Sequence, residues 1–416
     1  MKNFIFALLL CALALPLFAQ NTDSKLGIDF TIRPRTEFRN GSFTLRPDNV
    51  NPAFFTSSRN RMGLSFSEGP LELRFAVQNV TVWGQSPQIE TGASTMLNEA
   101  WVKYALNDAW KLQFGRQQIA YDDDRILGTL EWHQSGRWHD ALFLKHAKES
   151  SKLDIGLAFN QNNERVQGTN FLPGGQPYKS MQMLHYQNAP TAALSYSILA
   201  LNLGKQSVDN DTGNLKDAYL FTFGGNMKYA HDAFTFGGTA YIQRGEENYG
   251  QSAEGFLLAT YLSKQFDNIN WLVGLDVLSG NDLGVAGGDA SFNPLYGTHH
   301  KFYGLMDYFY VGNGHSDVGL VDYHTKVSIK QSEKFSYGAA IHAFQAQGDL
   351  GVADQYLGTE IDLTFNYKWD KYMSLQGGYS QMFAADNMEL IKGVSNPSGN
   401  QSWVWLMLKV SPSFMF

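Results

Sequence analysis

Ile28-Asp29-Phe30-Thr31-Ile32-Arg33-Pro34-Arg35-Thr36-Glu37-Phe38-Arg39 alternates apolar with polar side chains. Successive side chains of a β-strand point to opposite faces. Ile28, Phe30, Ile32, Pro34 and Phe38 therefore share one face, and Asp29, Arg33, Arg35, Glu37 and Arg39 share the other. The first face suits lipid and the second a water-filled lumen. From about Leu26 to Lys409 the chain repeats this unit as runs of about ten residues, each followed by a connection.

The connections are of two kinds. Short ones, rich in the Asn, Asp, Ser, Gly and Pro that favour turns, fall at residues 67–70, 107–108, 147–151, 188–190, 231–232, 266–268, 332–334 and 370–371. Long ones fall at 40–53, 84–95, 122–134, 160–180, 204–216, 245–252, 280–317, 346–356 and 384–400. Eight short turns alternating with nine long loops predict an all-β, antiparallel transmembrane barrel of about eighteen strands, with periplasmic turns, extracellular loops and both termini periplasmic. Aromatic residues beside the short turns, Trp110, Tyr186, Tyr229, Phe234, Phe335, Trp369 and Tyr372, read as a girdle at the periplasmic headgroup level. The closing strand places Val404, Leu406, Leu408 and Val410 on its lipid face, and the chain ends Phe414-Met415-Phe416. A terminal aromatic after an amphipathic strand resembles the signal read by the outer-membrane barrel assembly machinery.

Residues 1–19 read as a secretory signal peptide, with Lys2 as its charge, an apolar run from Phe4 to Leu17 and a small Ala19 at the cut. Residues 20–416 then form one barrel domain in the bacterial outer membrane, in contact with lipid and lipopolysaccharide. Cys11, the single cysteine, lies inside the signal, so the mature chain has no disulfide or thiol chemistry. Beyond the signal no run approaches the ~18 apolar residues of a membrane helix. A net charge of −7 argues against a nucleic-acid partner.

Ten of the twelve arginines precede residue 141. Arg33, Arg35 and Arg39 on the first strand, Arg59 and Arg61 on the second, Arg74 on the third and Lys103 on the fourth share the lumen phase. Arg116, Arg125 and Arg137 follow, around the fifth and sixth strands. Guanidinium groups stay charged and offer a planar fork to carboxylates, so these ten residues are the candidate pore lining for anionic saccharide solutes. Glu37, Glu72, Glu99 and Asp140 share the same lumen. An Arg–carboxylate network that only braces the wall uses the same residues, and a nonselective general porin is then the alternative.

Gly115-Arg116-Gln117, Tyr121-Asp122-Asp123-Asp124-Arg125-Ile126-Leu127-Gly128, Trp132 and Gly136-Arg137-Trp138-His139-Asp140 together resemble the core motif of the alginate export family of outer-membrane porins. Phe292-Asn293-Pro294-Leu295-Tyr296-Gly297, His300-Lys301-Phe302-Tyr303-Gly304 and Asp307 resemble a later segment of that family. The resemblance implies a monomeric barrel whose electropositive constriction passes a linear polyuronate. Arg116, Arg125 and Arg137 occupy matching motif positions, and the earlier arginines match in general pattern.

Other constellations carry less. His299, His300, Asp307, His315 and Asp317 crowd one loop without a standard metal-ligand spacing, so no metal or other cofactor is expected. Asp122-Asp123-Asp124 reads as a solvated acidic loop or a partner for Arg125 rather than a calcium site. The aromatic run near Asp307-Tyr308-Phe309-Tyr310 reads as a folded loop segment or short helix. No Ser/His or Asp/His motif sets up a nucleophile and base, so no enzyme and no catalytic residue is expected. A hydrophobic-substrate transporter needs an apolar inner wall and an N-terminal plug, and residues 20–25 are too few for one. The short turns are too short to close the mouth, so any gate is an extracellular loop. The longest of these, 280–317, carries enough aromatic residues for a small core of its own and is expected to fold over or into the mouth.

Overall fold

The structure, a computed structural model, describes residues 24–89, 95–171, 178–209, 211–285, 290–310 and 318–416. The signal peptide expected at residues 1–19, with Cys11, lies outside them. The strands in chain order are β1 (Lys25–Asn40), β2 (Ala53–Glu68), β3 (Leu71–Val82), β4 (Thr95–Ala105), β5 (Trp110–Gln117), β6 (His139–Lys148) and β7 (Ser151–Phe159). They continue with β8 (Ser180–Asn188), β9 (Leu194–Val208), β10 (Leu215–His231), β11 (Phe234–Asn248), β12 (Gln251–Ala253), β13 (Phe256–Phe266) and β14 (Ile269–Leu278). The last are β15 (Leu320–Lys330), β16 (Phe335–Gln345), β17 (Tyr356–Lys368), β18 (Met373–Ala384), β19 (Gln401–Val410) and β20 (Ser413–Met415).

Every neighbouring pair is antiparallel, and the sheet closes on itself. Arg35 of β1 pairs with Met407 of β19, and Gly27 with Met415 of β20. The three-residue β12 and β20 extend β13 and β19 along the same neighbours, β11 and β1. Counted as barrel strands, the total is eighteen. The last residue belongs to the seam: Phe416 N–H donates to the Leu26 carbonyl at 2.9 Å, and Leu26 N–H donates to the Phe416 carbonyl at 3.1 Å. A closed sheet leaves no unpaired edge in lipid, which is why a strand-built membrane protein is a barrel.

The alternation read from β1 holds around the wall. Phe30, Ile32 and Phe38 are exposed on the outer face, whereas Arg33, Arg35 and Glu37 are buried inside. Tyr104, Tyr229, Phe234, Phe266, Trp369 and Tyr372 are exposed beside the short turns, where an aromatic girdle belongs.

All eight short turns lie where the turn residues placed them, but three loops differ. The third runs through residues 118–138, longer than 122–134, because the chain leaves the sheet after Gln117 and enters the lumen. The fifth shrinks to 209–214 and the sixth to a two-residue turn at 249–250, because β9, β10 and β11 run for 15, 17 and 15 residues. About ten residues cross the bilayer, so these strands continue the wall beyond it. Polar side chains above the membrane resemble loop sequence yet still pair across strands. A further difference is the helix α1 (Asp386–Lys392) in the ninth loop, ended by Gly393 at φ 62°.

The inner wall is not uniformly polar. Met181, Met183, Leu199, Leu201, Leu203 and Leu257 point inward and are buried. They are covered by loop residues Ile119, Ile126, Leu127, Tyr178, Phe292 and Tyr296, with which they form one apolar cluster. The barrel thus contains a core, and that apolar stretch serves as a seat for loops rather than as a path for hydrophobic solutes.

The sidedness has a direct check. Cysteine at Val166, fully exposed in the fourth loop, will react with a membrane-impermeant maleimide on intact cells; cysteine at Asp267, exposed in a short turn, will react only after the outer membrane is opened. The opposite labelling pattern overturns the orientation.

Candidate functional site: a loop-filled, arginine-lined lumen

Arg33 of β1 lies directly across from Arg59 of β2, with Arg35, Arg39 and Arg61 on the same inward face. Like charges opposite one another in a strand pair are unfavourable, and each buried guanidinium needs acceptors. The 118–138 loop supplies them by folding into the lumen. Arg33 donates to the carbonyls of Glu131 (2.6 Å) and His133 (3.2 Å) and to the Gln134 amide oxygen (2.9 and 3.1 Å). Arg35 donates to the Trp132 carbonyl at 2.8 Å. Arg59 donates to the carbonyls of His133 and Gln134 and pairs with the Glu131 carboxylate. Arg61 reaches Glu131 at 3.3 Å and Gln78 at 2.9 Å.

Trp132 locks this contact. Its ring lies between the Arg35 guanidinium, 4.1 Å from the ring centre, and the His300 ring, stacked at 4.2 Å. His300 in turn bonds Asp307 at 2.7 Å, and Trp403 Nε1–H donates to Glu37 at 3.1 Å, the carboxylate that also holds Arg35 and Arg39, each at 2.8 Å.

The described parts of the second loop, residues 279–285, 290–310 and 318–319, enter the lumen as well and join the first loop backbone to backbone. Leu127 and Tyr296 form a parallel bridge, with Tyr296 N–H to Ile126 O at 3.0 Å and Gly128 N–H to Tyr296 O at 2.9 Å. Gly297 is required there: a Cβ would lie 2.1 Å from the Arg125 carbonyl oxygen. This loop folds into the mouth as its aromatic content predicts, but its core is not its own. Phe292, Tyr296, Tyr303 and Phe309 pack in one cluster with Ile126 and Leu127 of the first loop and Met388 and Ile391 of α1. The run 306–309 is buried coil, and the only turn of helix among the described residues of this loop is a 3-10 turn at His299–Lys301.

Each predicted lining residue can now be placed. Arg74 pairs with Asp29, Lys103 with Glu72, and Arg116 with Asp140 through two bonds of 2.8 and 2.9 Å. Arg125 and Arg137 sit in the loop rather than on a strand. Arg125 is enclosed: it binds Asp123 (2.8 Å), Asp276 (2.9 Å) and the Tyr303 hydroxyl (3.0 Å), with the Phe302 ring 3.9 Å from its carbon. It ties both loops to β14. Arg137 donates to the Gly297 carbonyl at 3.0 Å, and burial pushes its pKa down to about 10, so it stays protonated at neutral pH. Among the described residues, eight of these ten cations have a carboxylate partner; Arg33 and Arg137 are held by carbonyls and an amide instead.

The balance matters more than the pairing. Among the described residues, Arg33, Arg35, Arg39, Arg59 and Arg61 pair with two carboxylates, Glu37 and Glu131, which leaves a surplus of three positive charges within this group. Burial raises the Glu131 carboxyl, but Arg59, Arg61 and Arg33 outweigh it and hold the group below the ordinary carboxylate value.

The remaining candidates resolve as supports. Asp122, Asp123 and Asp124 point to different partners: Asp122 to His185 (3.1 Å) and Tyr241, Asp123 to Arg125, and Asp124 to Lys301 (3.3 Å). They dock the loop. His299 bonds the carbonyls of Tyr310 and Pro294. His315 and Asp317 lie outside the described residues.

Two consequences are measurable. A lowered folded-state pKa stabilises docking above the ordinary carboxylate value and loses that contribution as pH falls through the lowered one. Glu131 therefore keeps the loop latched above pH about 4.5, and single-channel conductance will rise only below that; Glu131→Gln will show the raised conductance already at neutral pH. Phe309, 1 % exposed and 4.7 Å from the Phe344 ring, anchors the second loop. Phe309→Ala will weaken its docking by about 3–5 kcal/mol, read as protease nicking within residues 279–319 of an otherwise intact barrel.

No protein-family model matches the chain, and no curated protein is similar to it in sequence. Its fold has close counterparts among solved structures. Acinetobacter baumannii OccAB4 superposes with a TM-score of 0.64 at 11% identity, covering 95% of this chain and 99% of that one. Pseudomonas aeruginosa OccK9 (OpdG) gives 0.64 at 12% identity over 94% and 98% of the two chains. Pseudomonas aeruginosa OpdK, solved with vanillate, gives 0.61 at 9% identity over 94% and 99%. The protein is an integral outer-membrane β-barrel of eighteen strands that shares its fold with these barrels from end to end.

Proposed function

We propose that this barrel is a passive, substrate-selective channel for carboxylate-bearing solutes, uronate-type oligosaccharides among them, working as a monomer. The observation that carries the reading is the surplus of three positive charges among Arg33, Arg35, Arg39, Arg59 and Arg61. A charged constriction selects by making one sign of ion cheaper to dehydrate, and guanidinium forks offer paired bonds to a carboxylate. Most of these donors are already engaged by the loop, which suits transit. A passing carboxylate meets the residual positive field and the more accessible Arg39 and Arg116 without settling into an empty fork. OpdK, of the same fold, was solved with vanillate, itself a carboxylate, and that supports the solute class. Uronates within that class rest on the motif resemblance to the alginate export family alone, and no family model matches the chain. The abundance of carboxylate partners favours a second reading, in which the ladder only braces the wall of a nonselective porin.

Arg39→Gln combined with Arg61→Gln separates the two. Both side chains keep some access to the lumen, and the pair removes two of the three surplus charges. In planar bilayers the reversal potential under a salt gradient will shift toward cations, and current block by oligogalacturonate will weaken. Unchanged selectivity and block in a normally folded double variant establish the bracing role instead.

A further inference from the structure

Three strands place a second ionic cluster in the wall, away from the arginine ladder. Asp276 of β14, Asp322 of β15, and Glu360 and Asp362 of β17 are all at most 2 % exposed. Among the described residues the cations that meet this group are Arg125, bonded to Asp276, and Lys326, two residues beyond His324 on β15. Arg125 is shared with Asp123, so the four buried carboxylates outnumber the permanent cations that meet them, and buried charge is costly unless it is balanced. The atoms register the deficit: Asp276 Oδ1 has no hydrogen-bond partner, and the Glu360 and Asp362 carboxyls meet each other rather than a cation.

Two histidines lie within the same cluster. His324 of β15 is the direct cross-strand partner of His342 of β16, and Asp322 precedes His324 by two residues on the same face. Asp322 Oδ2 lies 2.8 Å from His342 Nδ1 and 3.5 Å from His324 Nδ1. The latter nitrogen, on a side chain 8% exposed, has only this long contact with the carboxylate. One ligand atom from each of the three residues falls within 4.8 Å of the others. Tetrahedral bonds of about 2.0–2.2 Å separate ligand atoms by about 3.3–3.6 Å, so small side-chain rotations bring these three onto one ion. The far nitrogen of His342 faces Asp362 Oδ2 at 4.0 Å, where a carboxylate fixes the ring of a metal-bound histidine from behind. His342 and Asp362 also border a cavity of about 220 Å³, shared with Gly304 and Lys326, that offers room for a bound water and a route in.

We propose that Asp322, His324 and His342 form a binding site for one divalent transition-metal ion of the zinc type in the lumen wall. Two imidazoles and one carboxylate are a donor set for zinc, cobalt, nickel or copper and not for calcium or magnesium, which take oxygen ligands. The ion adds positive charge where buried carboxylates outnumber permanent cations, and it cross-links β15 to β16. The same shell reaches the second loop, because the other Glu360 oxygen accepts the Met306 N–H at 2.8 Å.

The test uses the full barrel, purified without a histidine tag, stripped with EDTA and titrated with Co²⁺ alone. We expect one equivalent bound, with the strong visible bands of four-coordinate cobalt, displaced by Zn²⁺. His324→Gln and His342→Gln should each weaken binding tenfold or more, while His231→Gln, at an exposed short turn, should bind as the parent does. Heat-modifiable gel mobility verifies that each variant is folded. Absence of bound cobalt on the parent barrel overturns the proposal without recourse to any variant and means that protons balance the carboxylates. Cobalt binding unaffected by His324→Gln in a folded barrel overturns it as well.

Discussion

Five guanidinium groups facing inward from two adjacent strands are the constraint from which the interior follows. Arg33 and Arg59 stand opposite each other, and neither strand alone can satisfy them. Glu37 serves Arg35 and Arg39, carbonyl oxygens of residues 131–134 serve Arg33, Arg35 and Arg59, and the Glu131 carboxylate and Gln78 serve Arg61. A carbonyl accepts hydrogen bonds without cancelling charge. The loop is thereby anchored to the ladder while most of the ladder's charge survives, so one set of contacts both builds the constriction and leaves it electropositive.

Once residues 118–138 lie in the lumen, the rest of the interior packs against them. Ile126 and Leu127 cannot remain exposed, and the inward-facing Met181, Met183, Leu199, Leu201 and Leu203 meet them from the wall. The second loop adds backbone bonds at Tyr296 and Gly297, and its aromatic residues close the cluster over α1. Burial of apolar area holds the loops in place, and the ionic contacts decide where they sit. The outer face follows the opposite rule, with apolar side chains left exposed to lipid rather than to water.

The lumen is asymmetric in charge. β1 and β2 carry the cationic surplus, whereas β14, β15 and β17 carry buried carboxylates, and Arg125 of the first loop reaches Asp276 between them. Charges placed this way set up a field across the channel as well as along it.

The alternation in β1, the turn residues and the contrast between short and long connections were enough to determine an eighteen-stranded barrel, because a strand in lipid leaves a period-two trace in the chain itself. The same trace put Arg33, Arg35, Arg39, Arg59 and Arg61 on the lumen face. Loop lengths were less legible: β9 to β11 outrun the bilayer, and beyond lipid the wall no longer requires apolar residues. What only the tertiary structure decided is who meets whom inside. That Glu131 answers Arg59 and Arg61, that Trp132 lies between Arg35 and His300, and that His324 stands beside His342 depend on loop docking and strand register. Those contacts join residues far apart in the chain, and a local pattern holds no record of them.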